Sequence, residues 1–126
     1  MLPQRNPIKV FLADDSAEIR SRVAGRLQAL AMVVVGEGAT LRGCIDGILN
    51  THPDVVVLDV QLEDGSGLQV MRAVLATGSR VRFVVFSNVD ASVYRQRFLE
   101  NGALEFLDKS QDYQRLGEAV QKAAAA

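Results

Sequence analysis

Five side chains that could carry out chemistry each lie at or just beyond the end of a short apolar segment of the chain. Asp14 and Asp15 follow the first segment, and Asp59 follows the third. Ser87 directly follows the fourth segment, and Lys109 comes just after the fifth. If the fold brings these segments together, the carboxylates repel one another and either raise a pKa or attract a cation.

Carboxylates close to an ammonium group and a cation suggest phosphoryl transfer. A site with few protein ligands, at which a hard cation keeps several bound waters, suits Mg²⁺ better than Ca²⁺. A carboxylate beside Mg²⁺ and a lysine can accept a phosphoryl group, because both cations neutralise charge on the transferred oxygens. These residue types therefore predict Mg²⁺ as a cofactor.

Apolar runs predict the strands that must position these residues. The central runs are rich in valine and hardly alternate with polar residues, which is typical of strands buried on both faces of a parallel sheet. Five strands are predicted, at Ile8–Ala13, Met32–Val35, Val55–Leu58, Val81–Phe86 and Ala103–Leu107.

Apolar residues at helical spacing predict a helix after each strand. Residues suited to begin these five helices are Ser16, Thr40, Ser66 or Gly67, Asp90 and Ser110. The fourth helix carries Tyr94 and Phe98 one turn apart, and it is expected to end at Asn101 and Gly102.

The alternation of strand and helix predicts a single α/β domain over residues 1–126, with a core of about residues 7–122. Right-handed crossovers make it a doubly wound parallel (βα)₅ sheet with helices on both faces. Ligands bind beyond the carboxyl ends of such strands, at the switch in strand order. In the expected order 2-1-3-4-5, the first, third, fourth and fifth strands are neighbours, so the reactive side chains converge on one edge. The second strand ends without a reactive side chain, at Val35 and Gly36.

Charge and composition argue against several other classes of protein. Fourteen basic and fifteen acidic residues leave a formal net charge of −1, which provides no electrostatic basis for binding nucleic acid or an anionic membrane. The apolar runs are too short to span a bilayer. The single cysteine, Cys44, excludes an internal disulfide and fits the cytoplasm. His52 is expected in a solvated loop far from the reactive edge.

Four motifs occur together in the order and at the spacing found in one family. They are Phe11–Ser16 (FLADDS), Val57–Leu68 (VLDVQLEDGSGL), Val85–Ser87 (VFS) and Gly102–Lys109 (GALEFLDK). Over roughly residues 7–122 the chain resembles the CheY-like receiver domains of bacterial response regulators in two-component signalling. The resemblance implies a flavodoxin-like fold and a phosphoprotein that acts as a conformational switch in a phosphorelay.

The resemblance also implies which residues bind the phosphoryl group and the metal. Asp59 would accept the phosphoryl group as an aspartyl phosphate. Asp15 would bind Mg²⁺ directly and Asp14 would help through water. Asp59 itself and the main-chain carbonyl of Gln61 would complete the metal ligands.

Three further residues would contact the phosphoryl group or connect phosphorylation with a change of conformation. Ser87 would hydrogen-bond the phosphoryl group, and Lys109 would form an ion pair with it. Phe106 lies where the family keeps an aromatic switch residue, so Ser87 and Phe106 together would form the switch.

Members of the family receive phosphoryl groups from sensor histidine kinases, phosphotransfer proteins or small phosphodonors. The domain would catalyse its own phosphorylation and dephosphorylation without being a conventional enzyme. Its downstream protein target, or a second phosphorylated copy, is expected on the face formed by the fourth helix, the fifth strand and the fifth helix. That face would present Tyr94, Arg95 and Tyr113. No direct contact of this domain with nucleic acid or with a membrane is expected.

Three residues depart from the family pattern. Glu63 replaces a common proline, Asn88 replaces a small residue, and Ser110 replaces the proline that usually follows the lysine. These differences leave open the reaction rates and whether the Lys109–Ser110 peptide bond is cis. They also leave open a second interpretation, a receiver-like interaction module that is not phosphorylated.

A third interpretation is a dehalogenase-type phosphohydrolase, which also uses an aspartate nucleophile in a doubly wound sheet. That class needs an acid two residues after its nucleophile, whereas Gln61 follows Asp59 at that spacing, and no cap domain is recognisable. The sequence leaves open the kinase, the pathway, the output, the phosphorylation lifetime and the oligomeric state. It also leaves open whether this is a stand-alone receiver or part of a longer regulator.

Overall fold

The computed structural model describes residues 6–88 and 92–126 and confirms the predicted parallel sheet. The strands are β1 (Lys9–Ala13), β2 (Val33–Gly38), β3 (Val55–Leu58), β4 (Gln61–Leu62), β5 (Gly65–Ser66), β6 (Arg82–Ser87) and β7 (Glu105–Asp108). Five of them form the parallel sheet in the order β2-β1-β3-β6-β7, which is the expected 2-1-3-4-5 order. Strands β4 and β5 form a separate antiparallel hairpin after β3.

Among the described residues, five helices cover the two faces of the sheet. They are α1 (Ala17–Ala29), α2 (Leu41–Thr51), α3 (Gly67–Ala76), α4 (Ser92–Glu100) and α5 (Leu116–Ala125), with a 3₁₀ turn at Tyr113–Arg115 before α5. Helices α1 and α5 pack on one face, and α2, α3 and α4 pack on the other. Within the described part of the chain, no helix is long and apolar enough to cross a membrane.

Successive residues of a central strand point to opposite faces of the sheet. Val10 and Leu12 of β1 pack in the layer of α1 and α5, whereas Phe11 and Ala13 pack in the other layer. All four residues of β3 are buried. Both faces of the sheet are covered, which is why the valine-rich runs show so little polar alternation.

Within the described residues, side-chain caps begin three of the helices, as predicted. The observed caps are Ser16, Thr40 and Ser66, whose side-chain oxygens accept hydrogen bonds from the N–H groups of Ile19, Gly43 and Leu68 at 3.2, 3.0 and 3.1 Å. Each bond satisfies a donor that has no partner within its own helix. The predicted cap of the fourth helix, Asp90, lies outside the described residues. Helix α4 ends before Gly102, whose φ of 115° favours glycine.

The second strand is longer at its carboxyl end than predicted. It begins at Val33 and continues past Val35 to Gly38, because its backbone remains paired with β1 up to that residue. The extension brings the end of β2 level with the end of β1 at the carboxyl edge of the sheet, although the strand contributes no predicted site residue.

The fifth helix begins later than predicted. It starts at Leu116, so Ser110 does not cap it. The N–H and the hydroxyl of Ser110 both donate to Oδ1 of Asp108, which folds this segment into a turn instead of a helix. Leu116 and Val120 of this helix are buried against the sheet.

Several smaller expectations concern single residues. Cys44 is buried on α2, and burial raises the pKa of its thiol to about 12. His52 is exposed at the end of α2, near the amino end of β3. No cis peptide bond occurs among the described residues, so the Lys109–Ser110 bond is trans.

Candidate functional site

The carboxyl ends of neighbouring strands form one edge of the sheet. Ala13 of β1 pairs with Leu58 of β3, and Ser87 of β6 pairs with Asp108 of β7. The N–H of Asp59 donates to the carbonyl of Ala13 at 2.8 Å. The parallel register therefore brings together the residues that follow these strands, as the sequence predicts.

Asp59 is buried at this edge and receives a hydrogen bond on each carboxylate oxygen. The hydroxyl of Ser87 donates to Oδ1 at 2.7 Å, and the ammonium group of Lys109 donates to Oδ2 at 3.1 Å. Ser87 ends the neighbouring strand and Lys109 follows the next one, so the strand order explains why all three meet. These two donors, one at the end of β6 and one directly after β7, fix the orientation of the carboxylate.

Lys109 connects Asp59 with Asp14. Its Nζ lies 2.7 Å from Oδ2 of Asp14, and all three side chains are buried. Burial disfavours the ammonium form, but the hydrogen bond to Asp14 and the charges of Asp59 and Asp14 outweigh burial and raise the pKa of Lys109. Burial is also the main reason that the pKa of Asp14 is raised, although Lys109 and the N–H of Ser16 oppose this shift.

Asp15 completes a group of three carboxylates, which we call the acidic cluster: Asp14, Asp15 and Asp59. Asp15 is exposed, and one oxygen from each of the three residues lies within 4.8 Å of the others. The ammonium group of Lys109 balances only one of the three negative charges. The remaining charge and the set of oxygen ligands suit a hard divalent cation that keeps open coordination positions. The acidic cluster could therefore hold a metal ion.

Gln61, the remaining predicted metal ligand, lies at the base of the β4–β5 hairpin. It pairs with Ser66, and its N–H faces Oδ1 of Asp59 at a long distance of 3.5 Å. Its side chain is exposed. The main chain of Gln61 is therefore close to Asp59, and the role of its carbonyl as a metal ligand stays a prediction.

Phe106 is buried on β7, in the layer that contains α4. Its ring contacts the ring of Phe98 edge to face, with 6.0 Å between centroids. The guanidinium group of Arg95 donates to the carbonyl of Phe106 at 3.1 Å. Phe106 pairs with Val85 on β6, the strand that ends at Ser87. The ring lies in the core in this structure, and its role as a switch stays a prediction.

Tyr113 does not lie on the predicted binding face with Tyr94. Its ring contacts Phe86 at a centroid distance of 6.2 Å, and its hydroxyl donates to the carbonyl of Arg22 on α1. The guanidinium groups of Arg22 and Arg26 lie 5.3 and 6.0 Å from the ring centroid. The prediction that Tyr113 lies on this binding face was wrong. Tyr113 belongs to the 3₁₀ turn before α5, and its side chain packs beside α1.

Arg20 is a neighbour of the acidic cluster that the sequence pattern did not reveal. Its Nη1 donates to the carbonyl of Asp14 at 2.6 Å, and its Nε lies 3.0 Å from the carboxylate of Glu37. Arg20 therefore connects the turn after β1 with the end of β2. The position of Arg20 one helical turn after Ser16 was a weak signal that it lies near Asp14. Its contact with Glu37 could not be predicted, because the predicted second strand ended at Val35, before Glu37.

The three residues that depart from the family pattern are exposed. Glu63 lies in the hairpin, Asn88 directly follows β6, and Ser110 follows β7 by two residues. The side chains that contact Asp59 among the described residues are those of Ser87 and Lys109, so the three departures leave these contacts in place.

Comparisons with known proteins identify a family. The sequence model of the response regulator receiver domain matches residues 10–121. The chain is 28% identical over 118 residues to a protein-glutamate methylesterase/protein-glutamine glutaminase of Nocardioides sp., covering 91% of this chain and 32% of that protein. It is 29% identical over 119 residues to the DNA-binding transcriptional activator DevR/DosR of Mycobacterium tuberculosis, covering 94% of this chain and 55% of that protein. The chain thus spans about a third to a half of the length of these relatives.

The fold agrees with that of solved receiver domains. The signal receiver domain of the response regulator assigned as NarL from Mycobacterium tuberculosis has a TM-score of 0.90 and 28% sequence identity, covering 97% of this chain and 99% of that chain. Both share the parallel five-stranded architecture, at whose carboxyl edge this chain holds Asp59, Ser87 and Lys109. The match over residues 10–121 and the structural similarity show that the chain belongs to the response regulator receiver domain family of two-component signalling.

Proposed function

We propose that Asp59 accepts a phosphoryl group from the phosphohistidine of a sensor kinase or phosphotransfer protein, or from a small phosphodonor, with Mg²⁺ as cofactor. The observation that carries this proposal is the pair of donors on Asp59, with Ser87 on one oxygen and Lys109 on the other, beside the acidic cluster. The added charge biases the conformation that a partner recognises. The reaction would take place in the cytoplasm, where a free thiol such as that of Cys44 stays reduced.

In the transfer step, a carboxylate oxygen of Asp59 attacks the phosphorus of the phosphohistidine. The P–N bond breaks as the new P–O bond forms, and its electron pair stays on the imidazole nitrogen. Ser87 and Lys109 donate to phosphoryl oxygens on which negative charge develops. In hydrolysis, water attacks the phosphorus and the P–O bond to Asp59 breaks, which restores the carboxylate and releases inorganic phosphate.

The acidic cluster supplies the carboxylates that would hold Mg²⁺, with the main-chain carbonyl of Gln61 as a further ligand. When bound, Mg²⁺ neutralises charge on the oxygens of the transferred group. Lys109 supplies a second cation at the same edge, and its raised pKa keeps it protonated. Positive charge is needed here because the carboxylate of Asp59 and the incoming phosphoryl group repel each other.

Intact-mass spectrometry after incubation with acetyl phosphate or phosphoramidate and Mg²⁺ tests the proposal. We expect one phosphoryl group on the wild-type chain and none on Asp59→Asn. The matched control is Asp54→Asn, the same change just before the opposite end of β3, which should be phosphorylated like the wild type. Equal labelling of Asp59→Asn would overturn the assignment. A folded wild-type chain that takes up no phosphoryl group would favour the interaction module instead.

We further propose that the downstream protein binds the face formed by α4, β7 and α5. Large apolar side chains are exposed on α4 and just before β7: Val93 is 70% exposed, Tyr94 43% and Leu104 42%. Arg95, on the same helix, donates to the carbonyl of Phe106, so a movement of Phe106 would reach this surface. Aromatic and arginine side chains of this kind are enriched in protein interfaces.

A further inference from the structure

We propose that Asp64 is a positioning residue, which attaches the loop carrying Gln61 to the start of α2 and thereby shapes the metal site. The loop connects Asp59 with Gly67 and contains the β4–β5 hairpin. The inference rests on the proposed function, because it concerns the ligands that would hold Mg²⁺.

The base of the hairpin is attached to the chain that follows β3. The N–H of Gly67 donates to the carbonyl of Val60 at 2.7 Å, and Gln61 pairs with Ser66. Position 67 has no room for a side chain, because an added Cβ would lie 2.0 Å from the carbonyl oxygen of Asp59. The loop therefore closes tightly beside the acidic cluster.

The tip of the hairpin is attached to the segment between β2 and α2. Oδ1 of Asp64 accepts a hydrogen bond from the N–H of Leu41 at 2.8 Å, and the N–H of Glu63 donates to the carbonyl of Ala39 at 3.0 Å. The side chain of Leu41 also packs closely on Gly65, where an added Cβ would lie 2.6 Å from Leu41 Cδ1. These contacts join two distant segments of the sequence at the hairpin tip.

The chemistry of Asp64 suits this position. The N–H of Leu41 is one of the donors at the start of α2 that have no partner within the helix. The first turn of α2 contains no acidic residue of its own. The carboxylate of Asp64 therefore places negative charge near the positive end of the helix dipole, and it forms a charge-assisted hydrogen bond there. Through Asp64, the helix and the loop stabilise each other.

The same segment also supports the other side of the acidic cluster. The carbonyl of Gly38, at the end of β2, accepts a hydrogen bond from the N–H of Asp14 at 3.0 Å. Residues 38–41 thus contact both the Asp14 turn and the hairpin tip. Without the Asp64 contact, the hairpin could move relative to Asp14. Metal affinity falls when the groups that orient the ligands are lost.

Three variants separate the hydrogen bond of Asp64 from its charge. Asp64→Ala removes both, whereas Asp64→Asn removes the charge and keeps an oxygen acceptor for the N–H of Leu41. Glu63→Ala is the matched control, because it removes a neighbouring exposed carboxylate and keeps the backbone hydrogen bond to Ala39. The described residues provide no hydrogen bond or ion pair for the Glu63 carboxylate.

Titration with MgCl₂, followed by amide chemical shifts, measures the affinity of each chain for Mg²⁺. We expect Asp64→Ala to bind Mg²⁺ roughly three- to tenfold more weakly than Glu63→Ala, the effect of losing one hydrogen bond. Asp64→Asn should bind like Glu63→Ala. Hydrogen–deuterium exchange without metal should show faster exchange of the Leu41 amide in Asp64→Ala alone.

Equal loss of Mg²⁺ affinity in Asp64→Ala and Glu63→Ala would overturn the inference. The loss of one negative charge, which both variants share, would then account for the whole effect. Unchanged exchange of the Leu41 amide in Asp64→Ala would overturn it as well. A wild-type chain without saturable Mg²⁺ binding would overturn the proposed metal site itself, and the inference with it. The two kinds of failure are therefore distinguishable.

Discussion

The ammonium group of Lys109 lies 2.7 Å from Oδ2 of Asp14, and both side chains are buried at the carboxyl edge of the sheet. Asp59 lies within hydrogen-bonding distance of the same ammonium group. Lys109 is thus the counter-ion of two carboxylates that otherwise repel each other. At this position it would stabilise the metal-free chain and would compete with a bound cation for the same carboxylates.

Removing this counter-ion should therefore weaken the fold and strengthen metal binding. We expect Lys109→Met to lose about 3 kcal/mol in free energy of unfolding without metal, because two buried carboxylates are left unpaired. Mg²⁺ should restore most of the loss, since a bound cation replaces the ammonium charge. Phosphorylation should still slow by at least about tenfold, because one of the groups that stabilise the transferred oxygens is gone.

Denaturant unfolding with EDTA and with Mg²⁺ measures these effects on stability. Lys122→Met, which removes an exposed lysine paired with Glu118, is the matched control and should change neither stability nor phosphorylation. A loss of stability in Lys109→Met that Mg²⁺ does not reduce would contradict the counter-ion role.

The two acidic residues after β1 should contribute unequally to Mg²⁺ affinity. Asp14 is already engaged, through Lys109 and the N–H of Ser16, whereas Asp15 is exposed and accepts no hydrogen bond from the described residues. We expect Asp15→Ala to weaken binding by about tenfold or more, and more than Asp14→Ala does. Calorimetric titration checks this, with the exposed Asp46 on α2 mutated to alanine as control. Wild-type affinity in Asp15→Ala would rule out direct coordination.

Asn88 should slow the approach of small phosphodonors to the site. It is exposed and directly follows Ser87, whose hydroxyl contacts Asp59. Asn88→Ala should therefore raise the phosphorylation rate about two- to fivefold, a barrier change of less than ~1 kcal/mol. Time courses with acetyl phosphate measure the rate, and Asn50→Ala, an exposed asparagine on α2, should behave like the wild type. Unchanged or slower transfer would show that Asn88 points away from the path.

Binding of BeF₃⁻, a stable phosphoryl mimic, should reshape the face formed by α4, β7 and α5. Ser87 and Phe106 lie on neighbouring strands, and Arg95 connects Phe106 with α4. We expect large amide chemical-shift changes across residues 87–115 with Mg²⁺ and BeF₃⁻, and none in Asp59→Asn. Changes confined to the direct neighbours of Asp59 would refute output through this face. Changes that grow with protein concentration would assign the face to self-association.

The sequence by itself determined the order of the strands in the parallel sheet and which side chains meet at its carboxyl edge. Runs of valine without polar alternation require a strand covered on both faces. Ser16 and Thr40 cap their helices through hydrogen bonds to residues only three positions further along the chain. A parallel sheet then places the residues after its strands at one edge, which is why Asp59, Ser87 and Lys109 could be grouped from the sequence alone.

Only the tertiary structure decided which atoms meet at that edge. The pairing of Lys109 with Asp14, the contact of Asp64 with Leu41 and the packing of Tyr113 against α1 all join segments far apart in the chain. Local patterns reflect the periodicity of burial and short-range hydrogen bonds. The partner that the end group of a long side chain contacts depends on where the strands end and where the helices begin. It also depends on single contacts worth about 1 kcal/mol, which no local sequence pattern reveals.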